Sequence, residues 1–129
     1  MTRTPEEQRN VDLVMEMFRS VLIPMDSTQV DHFISPDYIQ HSQLAAPGVA
    51  ALRDFLDEIR PQHPYATHDI KRVFADGDHV IVHYLIKRWP EDAGMIVCDI
   101  FRIEDGMIRE HWDVLQDVRT DGPNPHSPV

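Results

Sequence analysis

Asp99, His111 and Asp113 combine residue types and spacing that suit proton transfer. Alternate residues of an extended strand share a face, so His111 and Asp113 project together with Met107, Arg109 and Leu115. Ile108, Glu110, Trp112 and Val114 take the other side. Both faces mix apolar and polar residues, so alternation alone leaves open which one lines an interior, and an exposed aspartate is the commoner state. A carboxylate in an apolar pocket is pushed toward its neutral form by desolvation. That suits it to taking a proton from carbon beside a carbonyl, and His111 would orient Asp113 or share the proton.

Asp99 stands in a run that is otherwise apolar, Met95-Ile96-Val97-Cys98 before it and Ile100-Phe101 after it. A buried carboxylate must be hydrogen-bonded, paired or protonated. It is either a structural acid held by a neighbouring strand, or a neutral acid that donates a hydrogen bond to a developing enolate. The turn between the two acids decides whether they meet. If Asp105-Gly106 alone forms a two-residue turn, Asp99 pairs with Trp112 and faces away from Asp113. If Glu104-Asp105-Gly106 is a three-residue loop with Gly106 left-handed, Asp99 faces His111 and Asp113 shares their side. The three-residue loop is the expectation.

Among eight histidines, His32, His63, His79 and His126 read as surface groups. His41 ends a short extended piece, and His83 lies mid-strand between Val82 and Tyr84. Either is a satisfied core histidine or a pocket group. His41, His83, Asp99 and His111 lack the close-spaced pairs that metal sites favour, so no metal is expected. No Gly-rich phosphate loop or G-x-S-x-G elbow occurs. Trp89 and Trp112 read as core or dimer contacts.

The 129 residues suffice for one domain with its own core, and 42% apolar with 26% charged residues is a globular balance. Twelve Lys and Arg against 22 Asp and Glu give a formal charge of -10, which disfavours nucleic acid and anionic membranes as general partners. Cys98 is the one cysteine, excluding an intrachain disulfide, and no stretch approaches the ~20 apolar residues of a membrane span. These features, with no leader-like apolar segment at the N-terminus, point to the cytoplasm.

The elements that must position these groups follow from the changes of period. Thr4 caps a first helix, with Pro5 at its first position and Glu7 completing a capping box. Val11, Val14, Met15, Phe18 and Leu22 share one face, and Pro24 ends the helix. Asp26 opens a shorter helix with Val30, Phe33 and Ile34 inward. Ser35-Pro36-Asp37 breaks the chain before the extended Tyr38-Ile39-Gln40-His41. A third helix starts near Pro47, buries Val49, Leu52, Phe55, Leu56 and Ile59, and stops at Pro61 and Pro64. Alternation then predicts four strands over 67–74, 79–87, 95–103 and 107–118. Three helices followed by four long antiparallel strands is an α+β arrangement, a coiled sheet forming a half-barrel. Residues 1–119 read as one domain and 120–129 as an extended proline-rich tail.

This order of elements resembles the SnoaL-like branch of the nuclear-transport-factor-2-like superfamily. The resemblance is carried by Tyr38-Ile39-Gln40-His41, His68-Asp69-Ile70-Lys71-Arg72-Val73, Asp99-Ile100-Phe101-Arg102 before Asp105-Gly106, and Glu110-His111-Trp112-Asp113-Val114. It implies a cone-shaped fold with a pocket inside, usually a second subunit against the sheet, and no cofactor. Polyketide cyclases of this branch are similar at Asp113, where an Asp acts as general acid/base for aldol closure. Ketosteroid isomerases are similar at Asp99, but their base falls near His41 and their first-helix tyrosine near Phe18, which argues against steroid isomerisation. Limonene-epoxide hydrolases are similar at Asp113 but need an arginine where Val97 stands. With the face of Asp113 taken as inward, the expected catalytic residues are Asp113, Asp99, His111 and His41, and the expected substrate-binding residues are His83, Phe18, Phe55, Phe101 and Tyr38.

The functional expectation is an enzyme of carbonyl chemistry of lyase or isomerase type, performing aldol cyclisation, isomerisation or dehydration on a small apolar or carbonyl-containing ligand. The alternative is a non-catalytic module of the same fold that binds a hydrophobic metabolite. A homodimer is expected, because strands apolar on both faces leave one face uncovered by three helices.

Overall fold

The computed structural model describes residues 2–129. Helix α1 (Pro5–Met17) starts with the expected reciprocal cap: Glu7 N–H donates to Thr4 Oγ1 at 3.1 Å and Thr4 N–H to Glu7 Oε1 at 2.8 Å. The same glutamate accepts from Gly77 N–H, and Asn10 Nδ2 donates to Gly77 O, so the helix start is tied to a hairpin turn of the sheet. The chain continues into a π-helical turn, Phe18–Leu22, and a short 3-10 helix, Ser27–His32, capped by Asp26. Helix α2 (Val49–Gln62) carries Pro61 in its last turn.

The sheet has five strands: β1 (Ile34–Gln40), β2 (Thr67–Asp76), β3 (His79–Lys87), β4 (Met95–Glu104) and β5 (Met107–Asp117), in the order β1-β5-β4-β3-β2. The four expected strands are antiparallel neighbours, and no helix interrupts them. The fifth is a correction. Ser35-Pro36-Asp37 does not break the chain but lies within β1, which pairs parallel to β5. Proline is tolerated because β1 is an edge strand and its register shifts between Ile34 and Ile39. The α+β class stands, with a curved, unclosed sheet whose inner face meets the helices through Val14, Met17, Phe18, Val21, Val80, Val82, Val97 and Ile108, all essentially sealed from solvent. Residues 118–129 contain no helix or strand, and among the described residues no helix is long and apolar enough to cross a membrane.

The β4–β5 turn differs from the expected three-residue loop. Glu104 pairs with Met107 across a two-residue turn in which Asp105 and Gly106 both have positive φ, 52° and 73°. Two residues farther on the register shifts: Ile103 opposes Ile108, whereas Arg102 opposes Glu110, leaving Arg109 as an extra residue on β5. The bulge moves every later pair by one, so Asp99 lies opposite Asp113 rather than Trp112. Asp99, His111 and Asp113 do share a face, by way of a bulge instead of a longer loop.

A Cβ built on Gly106 meets nothing within 4 Å, so its substitution costs backbone energy alone. Gly106→Ala is expected to lower unfolding free energy by about 1 kcal/mol without changing the denaturant slope. Urea denaturation checks this. A loss of several kcal/mol, or a changed slope, contradicts a simple left-handed turn.

Candidate functional site

Inward-facing residues of all five strands, the end of α1 and one face of α2 line an open-mouthed cavity of about 340 Å³. Its walls are apolar: Met17, Leu22 and Met25 from the first helical segment, Leu52, Phe55, Leu56 and Ile59 from α2, and Met95, Val97, Phe101 and Leu115 from the sheet. Strand alternation then brings Tyr38, Gln40, His68, Tyr84, Asp99, His111 and Asp113 onto the same cavity.

Asp99 is 3% exposed, and both its oxygens are engaged. Tyr84 Oη donates to Oδ2 at 2.6 Å, and His111 Nε2 lies 2.7 Å from Oδ1. Gln40 and His111 are register partners across the parallel β1–β5 pair, which places Gln40 Oε1 2.7 Å from His111 Nδ1. Because that amide oxygen also accepts from Ser42 N–H at 3.1 Å, Nδ1 must carry a hydrogen. One further proton then lies between His111 Nε2 and Asp99. The Phe101 ring stacks on the imidazole with centroids 4.9 Å apart.

Asp113, directly across the ladder from Asp99, is only partly buried. Among the described residues its carboxylate has no hydrogen-bond or ion-pair partner, while Asp99, His111 and Asp113 each place one polar atom within 4.8 Å of the others. Among the described residues these three are the group that could hold a metal ion, although Asp99 and His111 already bond to one another.

Three expected pocket residues lie elsewhere. His83 alternates with Val82 and Tyr84, so it falls on the outer face of the sheet, beside Arg72 and opposite Cys98. His41 follows the inward Gln40 and therefore points outward, stacked parallel on Trp112 at 4.9 Å, its Nε2 2.7 Å from Glu110 Oε2. That contact, with Arg102, holds the Glu110 carboxyl below its usual range. Phe18 is fully buried but stands behind the cavity, edge-on to Tyr84 at 5.2 Å and Phe101 at 6.0 Å. Asp99 lines the cavity and is held by neighbouring strands, one of the two alternatives the sequence left open, with Tyr84 on one oxygen and His111 on the other.

Four polar groups went unassigned in the sequence: Gln40, Ser42, His68 and Tyr84. Tyr84 was legible in principle, because it alternates with Val80 and Val82, and a buried phenol needs a polar partner. His68 stacks on Tyr84 at 5.9 Å, and its buried Nδ1 has no partner. Burial lowers its pKa below the ordinary histidine value, against the opposing pull of Asp99. At the rim, Arg88 is gripped by Asp92 through two contacts at 2.6 and 3.1 Å and reaches Asp117. That guanidinium and nearby backbone N–H groups hold Asp92 well below the usual carboxylate range.

Residues 14–111 match the SnoaL-like domain family, about three quarters of the chain. The chain belongs to that family. This SnoaL-like domain aligns with a candidate SnoaL-like polyketide cyclase from Jannaschia sp. CCS1 at TM-score 0.73 and 18% identity, covering 89% of this chain and 90% of that one. It aligns with a SnoaL-like polyketide cyclase from Agrobacterium tumefaciens at TM-score 0.69 and 15% identity, covering 83% and 91%. A candidate hydroxylase from Streptomyces galilaeus is similar at TM-score 0.71 and 19% identity over 86% and 81%. Such identities establish the fold alone. No curated protein matches the sequence at a significant level. The family match ends two residues before Asp113, so the SnoaL-like assignment covers Asp99 and His111 while Asp113 rests on its geometry.

His68 supplies a pH test. Its folded pKa is depressed, so below the unfolded value of about 6.5 the unfolded chain takes up a proton that the folded chain refuses. Its contribution is fully present above that pH and lost as pH falls, by at most about 1.4 kcal/mol per unit. Relative to wild type, His68→Phe is expected to gain stability between pH 7 and 5. Urea midpoints across that range check it, and parallel curves count against a neutral buried imidazole.

Proposed function

We propose that this protein is an acid–base catalyst acting on a small carbonyl compound. The observation that carries the reading is Asp113, a carboxylate on an apolar cavity wall with no partner among the described residues, beside an Asp99–His111 pair that is already satisfied. A carboxylate with no competing partner is free to accept a proton from a bound ligand. Asp113 takes a proton from the carbon beside the carbonyl. The C–H electron pair forms a carbon–carbon double bond, and the carbonyl pair moves onto oxygen. Asp113, now protonated, returns that proton to carbon or to the product alkoxide, while the Asp99–His111 pair, with both ring nitrogens engaged, holds the polar side of the cavity in place.

Return of the proton to a different carbon is isomerisation. Attack of the enolate carbon on a second carbonyl of the same molecule, with a proton delivered to the new alkoxide, is aldol cyclisation. Loss of that hydroxyl as water is dehydration. The polyketide-cyclase names of similar structures support this class of reaction. A cavity of about 340 Å³ is at the small end of ligand pockets, which favours substrates of one or two rings. Tyr38, Phe55 and Phe101 would contact the ligand.

The reading includes a cytoplasmic homodimer. The outer sheet face carries a cross-strand row of Phe74, Ile81, Ile100 and Trp112, with Val114 66% exposed and Phe74 55% exposed. Light scattering at micromolar concentration is expected to give twice the chain mass, and a monomer argues against this face as an interface.

Hydrogen–deuterium exchange at the α-carbons of 2-tetralone, followed by NMR in D2O, tests the catalytic reading. Wild type is expected to accelerate exchange, and Asp113→Asn to lower that acceleration by about 100-fold or more. Binding of the ketone without accelerated exchange would favour the non-catalytic module, whose main support is the predominantly apolar wall.

A further inference from the structure

We propose that Tyr38 is a catalytic hydrogen-bond donor to the substrate's carbonyl oxygen, with its hydroxyl aimed by the Ser42–Gln40 pair. The proposal rests on the carbonyl-chemistry reading and names the oxyanion partner that reading lacks, since both oxygens of Asp99 are engaged within the protein.

The direction of each hydrogen bond follows from one certain donor. Ser42 N–H can only donate, so the Gln40 atom it meets at 3.1 Å is the amide oxygen. The other amide atom, Nε2, is therefore an NH2 group, and it donates to Tyr38 Oη at 2.8 Å. The phenol is an acceptor in that contact, so its own hydrogen points elsewhere. No acceptor for it exists among the described residues, although Tyr38 is 7% exposed and faces the cavity. Tyr84 differs: its hydrogen is committed to Asp99. Burial, reinforced by the negative charges of Asp99 and Asp113, pushes the Tyr38 phenol above its ordinary pKa, so it keeps its proton across neutral pH.

A fixed O–H with an unmet donor in an apolar cavity is complementary to a carbonyl oxygen, and more so to the enolate oxygen that forms when Asp113 removes the neighbouring proton. No electrons pass through Tyr38. The negative charge that develops on oxygen is met by the phenol hydrogen and returns to carbon when the enolate is reprotonated or attacks a second carbonyl. The ligand class is a ketone or aldehyde of one or two rings.

Binding of 4-nitrophenol, an enolate-oxygen mimic whose ionisation is visible by absorbance, is compared with binding of 4-nitrotoluene, the same shape without the oxygen. Tyr38→Phe is expected to weaken 4-nitrophenolate by about 10- to 100-fold and leave 4-nitrotoluene unchanged. Gln40→Met is expected to narrow the preference for 4-nitrophenolate by a smaller factor, because the hydroxyl is then free to rotate. Far-UV circular dichroism and melting curves report whether each variant is folded, and Tyr38→Phe keeps the ring. Unchanged 4-nitrophenolate affinity in Tyr38→Phe, with 2-tetralone exchange still dependent on Asp113, overturns the role of Tyr38 and leaves the carbonyl-chemistry reading standing. A wild-type protein that neither prefers 4-nitrophenolate to 4-nitrotoluene nor accelerates exchange overturns both.

Discussion

A carboxylate buried to 3% exposure has to be answered, and much of the polar architecture follows from how Asp99 is answered. Tyr84 on β3 supplies one hydrogen bond and His111 on β5 the other. His111 then presents a second ring nitrogen, which requires an acceptor, and Gln40 on β1 provides it. Gln40 in turn is oriented by Ser42 and passes its NH2 to Tyr38. One demand thus runs across four strands and sets which side of β1, β3, β4 and β5 must face inward. Reversing the face of any one strand would leave a polar atom of the chain without a partner.

Asp99 and Asp113 are the same residue type in directly opposed positions, yet their surroundings separate them. Asp99 is closed over by Tyr84 and His111, whereas Asp113 remains unmatched on the cavity wall. Two carboxylates placed in different environments are a general route to two different tasks within one site. Here one holds the frame and the other is left available.

Much of this was readable from alternation. The four long strands and the first helix follow from period and capping chemistry, and the Thr4–Glu7 cap is present as the residues indicate. The common face of Asp99, His111 and Asp113 was also within reach, but its cause was not. A bulge at Arg109 leaves no mark in a pattern whose two faces are both part polar. Strand β1 was hidden by Ser35-Pro36-Asp37 and by its partner, since parallel pairing with β5 involves no connecting turn. His83 misled because β3 is apolar on both sides, with Ile81 and Leu85 outward against Val82 and Tyr84 inward. His41 misled by a single residue of parity, since Gln40 before it faces the cavity.

The pairing of β1 with β5 joins distant parts of the chain: Gln40 and His111 are 71 positions apart. The hairpins of β2 to β5 close over short turns, whereas this contact requires the intervening chain to be gathered first, which costs loop entropy. The order of assembly therefore favours the antiparallel meander before the edge strand. Until β1 docks, His111 lacks its acceptor and the floor of the cavity lacks Tyr38. A partly folded chain has the acids but no site, so cavity occupancy reports the completion of folding.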